Sequence, residues 1–229
     1  MIEKIRSVWN SEGFRGIIRN IYHRVFQPKL KSFGNYFHLF SNKYGLEFGG
    51  PSSIFRRNGQ FPVYKVAKDI DNCNFNFNTI WEGTISPGRT FSYDKKQNPG
   101  WQYVGDATDL SFIPVHKKYD FLLSFHVLEH IANPIKVLNE WIRSLTPQGV
   151  VALGVPHKEN TFDCYREVTL LSHMVDDYKN NISEDDLTHL DEVLNFHDFS
   201  LDSGQINKED FVRMIKNNHE YRVLHHHVF

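Results

Sequence analysis

The chain has 229 residues, 40% hydrophobic and 14% aromatic, which suits one α/β domain with extra segments and excludes a disordered protein. A formal net charge of −1 excludes a global basic field of the kind that collects nucleic acid. Cys73 and Cys164, the only cysteines, form neither a disulfide framework nor a metal quartet, so a reduced, cytoplasmic protein is expected.

Residues 2–31 read as a helix, with Ile5, Val8, Trp9, Ile17, Ile18, Ile21, Tyr22 and Val25 at roughly helical spacing and a break near Gly13. Its other face is basic (Lys4, Arg6, Arg15, Arg19, Arg24, Lys29, Lys31), so it can lie on an anionic membrane surface, cover a cleft, or dock on its own domain with its charges solvated. The same charges interrupt any signal-peptide core, and no apolar run approaches the ~20 residues that span a bilayer. Residues 1–40 are taken as this segment and 41–229 as the main domain.

From Tyr44 onward, short apolar runs alternate with polar segments. Strands are expected at 45–48, 63–70, 101–104, 119–125 and 149–155. Helices are expected at 54–58, 134–145, 170–180, 185–196 and 208–220. This alternation predicts a doubly wound, Rossmann-like, mostly parallel sheet with helices on both faces. Residues 72–100 are rich in Gly, Pro and Asn with weak periodicity and read as an insertion loop or an antiparallel flap. Residues 157–220 read as a helical segment on the substrate side. After 155 only the run 221–229 is strand-like, so the sheet is abbreviated, completed by a partner, or cut short in a truncated form.

Open α/β sheets bind ligands at the carboxyl ends of their strands, where the strand order reverses. Four expected strand ends carry suitable chemistry. Glu47-Phe48-Gly49-Gly50 lets backbone approach a ligand closely. Asp69 and Asp71 offer carboxylates for ribose hydroxyls. Asp106 and Ala107 can meet an adenine edge. Ser124-Phe125-His126 closes a buried strand.

The stretch YDFLLSFHVLEHIANPIKVLNEWIRSLTPQGVVALGVP (119–156) with GDATDLSF (105–112) resembles the class I S-adenosylmethionine-dependent methyltransferases acting on small molecules. The resemblance covers about 44–156. It implies S-adenosylmethionine as cofactor, with Glu47, Gly49 and Gly50 at its methionine end, Asp71 at the ribose, Asp106 and Ala107 at the adenine, and Ser124 to His126 beside the sulfonium. Pro51 and Ser53 stand where the family's second and third loop glycines would be, and Pro51 supplies no N–H. Later text (TFDCYREVT, EDDLTHLDEVLNFHD, LHHHVF) resembles a narrower branch associated with bacterial surface-glycan modification, implying O-methylation of a sugar or other small polar acceptor. An inactive binding or scaffold protein is the main alternative, and a metal-dependent hydrolase a further one.

His126 and His157 each follow a strand expected to end at the cleft, which makes them candidate general bases for a hydroxyl acceptor. His126-x-x-Glu129-His130 also fits a zinc-hydrolase pattern, but that pattern needs a helix. In some related quinone O-methyltransferases a similar turn holds a divalent metal, which leaves a role for Glu129 and His130 open; no metal is assigned to the site. In a strand, His225 and His227 would share one face. Asp163, Arg166, Asp185, Asp186, His189 and His197 suggest a polar face suited to a polyhydroxylated acceptor. The expected partner is a small-molecule or glycan acceptor rather than nucleic acid, with peripheral contact to the inner membrane face through the first helix.

Overall fold

The computed structural model describes residues 29–79, 82–201, 208–216 and 224–229. The helix expected over 2–31 falls almost wholly outside them. A short turn of helix, α1 (Phe33–Tyr36), leads into the first strand.

Six strands make the main sheet: β1 (Tyr44–Phe48), β2 (Asp69–Asn74), β5 (Gly88–Phe91), β6 (Gly100–Val104), β7 (Tyr119–Phe125) and β8 (Leu145–Gly154). Their order is β5-β6-β2-β1-β7-β8. All neighbours pair in parallel except β5, which closes one edge antiparallel to β6. The order reverses between β1 and β7, so a crevice opens beyond their carboxyl ends. The fold is Rossmann-like and mostly parallel, as the alternation of elements predicts.

Period-two alternation sorts the strand side chains between two cores. Leu46, Phe48 and Leu122 face one side and pack against α2 (Pro134–Ser144), whose Val137 and Trp141 are fully buried. The Trp141 ring stacks on Phe48 at 4.7 Å. Asn133 starts this helix by accepting the Lys136 N–H, with Pro134 in the first turn where a missing N–H costs nothing. Ile70, Phe121 and Leu123 face the other side and meet Phe40, Phe55, Val63 and Tyr64.

The second strand differs from its expected range of 63–70. Val63–Lys65 is a 3-10 turn, and the strand begins at Asp69. The buried residues Val63, Tyr64 and Ala67 have helical spacing, and the Val66 and Ala67 N–H groups both donate to the Val63 carbonyl. The strand itself, DIDNCN, buries Asp71, Asn72 and Asn74 as well as the apolar Ile70 and Cys73. Between β2 and β5, β3 (Asn78–Thr79) and β4 (Gly83–Thr84) form an antiparallel pair.

Beyond β8 lie α3 (Leu171–Lys179), α4 (Leu190–Phe196) and α5 (Lys208–Lys216). The fourth helix starts later than expected at 185, because 183–188 form turns. Residues 224–229 are extended but join no strand pair, which corrects the strand expected at 221–229; residues 221–223 lie outside the described set. The segment is instead tied to loops: Thr169 N–H donates to the Val228 carbonyl at 3.0 Å, Lys158 N–H to Phe229 at 3.1 Å, and His227 N–H to Glu129 at 3.3 Å. No helix among the described residues is long and apolar enough to cross a membrane.

Candidate active site

A cavity of about 390 Å³ opens at the switch point. It is walled by Phe48 and Gly49 after β1, Asn74 and Asn76 after β2, Asn78 and Thr79 of the flap, Gly105 and Ala107 after β6, and Phe125, His126 and Val127 after β7. Four successive strand ends therefore meet at one space, of a size suited to a small ligand.

The loop 49–52 is held by Glu47 and by side chains to which the sequence reading gave no site role, Tyr64, Asn72 and Asn74. Asn72 accepts the Gly50 N–H at 2.9 Å, and Asn74 donates to the Gly50 carbonyl at 3.3 Å. Ser52 N–H reaches both Glu47 Oε1 at 3.0 Å and the Tyr64 hydroxyl at 2.8 Å, while that hydroxyl donates to Glu47 Oε2. Glu47 thus organises the loop from beneath rather than lining the cavity. Burial pushes its carboxyl up to about 7, against the lowering effect of Ser52 and Tyr64. Gly49 has φ +74, and a Cβ there would meet Val127 at 2.7 Å. At Gly50 a Cβ would strike the Glu47 carboxyl at 2.5 Å, so the loop packs too closely for a side chain.

Asp71 lies within β2 rather than at its end. Its carboxylate accepts the Trp101 N–H and the Tyr119 hydroxyl, each at 2.8 Å, and pairs with Lys117. It does not face the cavity; Asn74 holds the strand end. Asp106 accepts the Thr108 N–H at 2.7 Å and shapes the turn that presents Ala107 to the cavity. Ser124 is fully buried beside Phe48 in register, and its hydroxyl has no hydrogen-bond partner.

The two candidate histidines separate. His157 is exposed, precedes a short 3-10 turn and is not part of the cavity wall. His126 lines the cavity with its side chain 48% exposed, and its Nδ1 lies 3.4 Å from Glu129 Oε1. Its backbone has φ +56, a conformation costly for a side-chain-bearing residue, which turns the imidazole out of the strand into the crevice. The helix required by the zinc-hydrolase pattern is not formed: His126 ends a strand, and only Leu128–His130 make a 3-10 turn.

Glu129 is fully buried. Burial pushes its carboxyl up, but His126, His130 and His225 outweigh that and hold it below the usual range. Glu129, His130 and His225 bring donor atoms within 4.8 Å of one another, a set able to hold a divalent cation. Behind it, His225 Nδ1 bonds Asp163, and Arg166 bonds Asp163 and the His225 carbonyl, each at 2.9 Å. Asp163, Arg166 and His197 are therefore buried structural groups, not the open polar face expected for an acceptor. The reason is that Asp163 and Arg166 pair with each other, while His197 packs among the rings of Phe162, Phe199 and Phe211.

A family model described as a methyltransferase domain matches residues 77–153, about a third of the chain, from the flap through β8. No curated protein sequence matches the chain. Among solved structures, a Galdieria sulphuraria protein assigned as a sarcosine dimethylglycine methyltransferase is 15% identical, with a TM-score of 0.40 over 79% of this chain and 74% of that one. An arsenic(III) S-adenosylmethionine methyltransferase of Chlamydomonas reinhardtii is 16% identical, with a TM-score of 0.35 over 79% of this chain and 52% of its own. PKMT2 of Rickettsia typhi, in complex with AdoHcy, is 18% identical, with a TM-score of 0.37 over 86% of this chain and 36% of its own. The domain match, on a sheet whose strand ends converge on one cavity, supports an S-adenosylmethionine-dependent methyltransferase.

Proposed function

We propose that the chain O-methylates a sugar or another small polar acceptor, with S-adenosylmethionine bound in the cavity at the switch point. The observation that carries this reading is His126. It lines the cavity just past β7, beside His130, with its Nδ1 3.4 Å from the Glu129 carboxylate. S-adenosylmethionine supplies an electrophilic methyl group on a sulfonium. Gly49 and the 50–52 backbone would lie along its amino-acid end, Asn74 and Asn76 near the ribose, and Ala107 by the adenine. His126 would accept the proton of the acceptor hydroxyl, and Glu129 would steady the imidazolium that results. Phe48, Phe125, Val127 and Ile131 form the apolar wall that limits water.

The glycan acceptor rests on the branch resemblance of the C-terminal text and on the polar flap residues Asn78 and Thr79 at the rim. Surface-polysaccharide biosynthesis is the setting that this acceptor implies. Calorimetry with S-adenosylmethionine comes first, and silence at millimolar ligand would end the proposal. With binding established, His126→Gln should leave affinity within about twofold and slow methyl transfer to a hydroxyl acceptor by about 10²–10⁴-fold.

A further inference from the structure

A second cluster of donor atoms lies away from the cavity, where α3, the start of α4 and the C-terminal segment meet. His173 and Asp177 sit four residues apart on one face of α3, with His173 Nε2 3.4 Å from Asp177 Oδ2. His189, the residue preceding α4, points its Nε2 at His173 Nε2 from 3.0 Å. His227 comes in from the C-terminal segment, its Nε2 3.8 Å from the same Asp177 oxygen. Donor atoms of His173, Asp177 and His227 all lie within 4.8 Å of one another.

These groups are poorly explained by one another. Asp177 Oδ2 is buried and accepts no hydrogen bond, and His227 Nδ1 is likewise buried without a partner. A neutral imidazole has one lone-pair nitrogen, so two Nε2 atoms facing each other leave at most one N–H between them. In a tetrahedral zinc site with bonds of about 2.0–2.1 Å, ligand atoms stand roughly 3.3–3.4 Å apart. The observed spacings of 3.0 and 3.4 Å lie close to that edge. Support from outside the cluster is also in place. Glu192 Oε2 lies 3.4 Å from His189 Nδ1, the carboxylate-behind-histidine arrangement that leaves Nε2 as the ligand atom. The Ala132 carbonyl accepts from His227 Nε2–H at 3.2 Å, which leaves the buried, unpartnered Nδ1 as that imidazole's ligand atom.

We propose that His173, Asp177, His189 and His227 bind one zinc-type divalent ion that clips the C-terminal segment to α3 and α4. His173, Asp177 and His227 supply three ligands, and His189, 3.0 Å from His173 Nε2, stands ready to close the fourth position, which makes this a structural rather than a hydrolytic centre. The clip also bears on the cavity. Glu192 bonds Arg166, Arg166 bonds Asp163, and Asp163 orients His225 beside Glu129, so a continuous polar chain runs from His189 to the floor under His126.

The test uses the untagged full-length chain, dialysed against zinc and washed, with metal content and thermal unfolding as readouts. The wild type should retain zinc and lose thermal stability when a chelator strips it. His189→Gln and the isosteric Asp177→Asn should each remove one zinc equivalent, or weaken it at least about tenfold; the second variant serves where the first does not fold. Glu129→Gln should leave that equivalent in place, since Glu129 belongs to the other donor set. Tetrahedral-intensity visible bands on cobalt substitution should follow the same pattern. Retention of no zinc by the wild type, with no zinc-dependent change in unfolding, overturns the proposal. So does zinc that persists in both Asp177→Asn and His189→Gln but disappears in Glu129→Gln.

Discussion

The two halves of this molecule are held together by different physics. From β1 to β8, two apolar clusters sandwich a mostly parallel sheet, and these outweigh the buried polar groups such as Glu47, Asp71 and Gln102. Beyond β8 the apolar cluster shrinks to Val193, Phe211, Ile215 and Leu224, with partly buried neighbours. There the buried groups are instead Asp163, Arg166, Asp177, His197 and the run His225 to His227. Hydrocarbon burial is non-directional and tolerant, whereas buried charges hold only while every partner is in place. The second half should therefore fail abruptly when one polar partner is removed, and the first should fail in proportion to the volume lost.

The largest effect should come from the sheet. Trp141→Ala empties a fully buried ring position against Phe48 and should cost about 3–5 kcal/mol, read as a lower denaturant midpoint for the whole chain. Arg166→Leu sharpens the contrast. It strips Asp163 of its cation and should cost about 3 kcal/mol. Limited proteolysis should show the damage confined to the segment after β8; uniform loss of protection would erase the distinction between the halves. A smaller effect is expected at the loop. Asn72→Ala removes the side-chain acceptor of the buried Gly50 N–H, costing about 1–3 kcal/mol, and should weaken S-adenosylmethionine binding in calorimetry where an equally costly core variant does not. The smallest concerns pH. Glu47 is more basic folded, about 7, than in the unfolded chain, so the folded state holds the extra proton. Its contribution is fully present below the ordinary carboxylate value and is lost as pH rises to about 7. Subtracting the Tm-versus-pH curve of Glu47→Gln from that of the wild type should reveal that fall; a flat difference would mean that Glu47 is ionised throughout.

The parts legible in the sequence were those built on apolar pattern. The strands at 45–48 and 119–125 and the helix after Pro134 were readable because burial on both faces, or a stripe on one, leaves a periodic trace. The second strand was not, because its buried residues Asp71, Asn72 and Asn74 look like loop, and the apolar run before it is a turn that fills the core. The support for the glycine loop was equally hidden, since Asn72, Asn74 and Tyr64 reach Gly50 and Ser52 from 12 to 24 residues away. His126 was legible as a strand-end residue. What separates it from His157 is a backbone angle and a carboxylate three residues on, and only the first of these leaves no trace in the sequence. The acidic and histidine text after 157 suggested an open polar surface because pairing partners 59 and 62 residues apart cannot be matched by inspection.

Asp71 has a consequence for how the chain finds its alignment. A strand displaced by one residue turns its apolar side chains to the wrong face, and burial alone rejects it. A displacement by two restores every side chain to its proper face, so burial is nearly blind to it. Asp71 is not: moved two residues, its carboxylate would lose the Trp101 amide, the Tyr119 hydroxyl and the Lys117 ammonium together, leaving a buried charge with no counterpart. One carboxylate in the middle of β2 thus discriminates against the mispairing that hydrophobic pattern would tolerate, and sets which residues of β2 and β6 arrive together at the rim of the cavity.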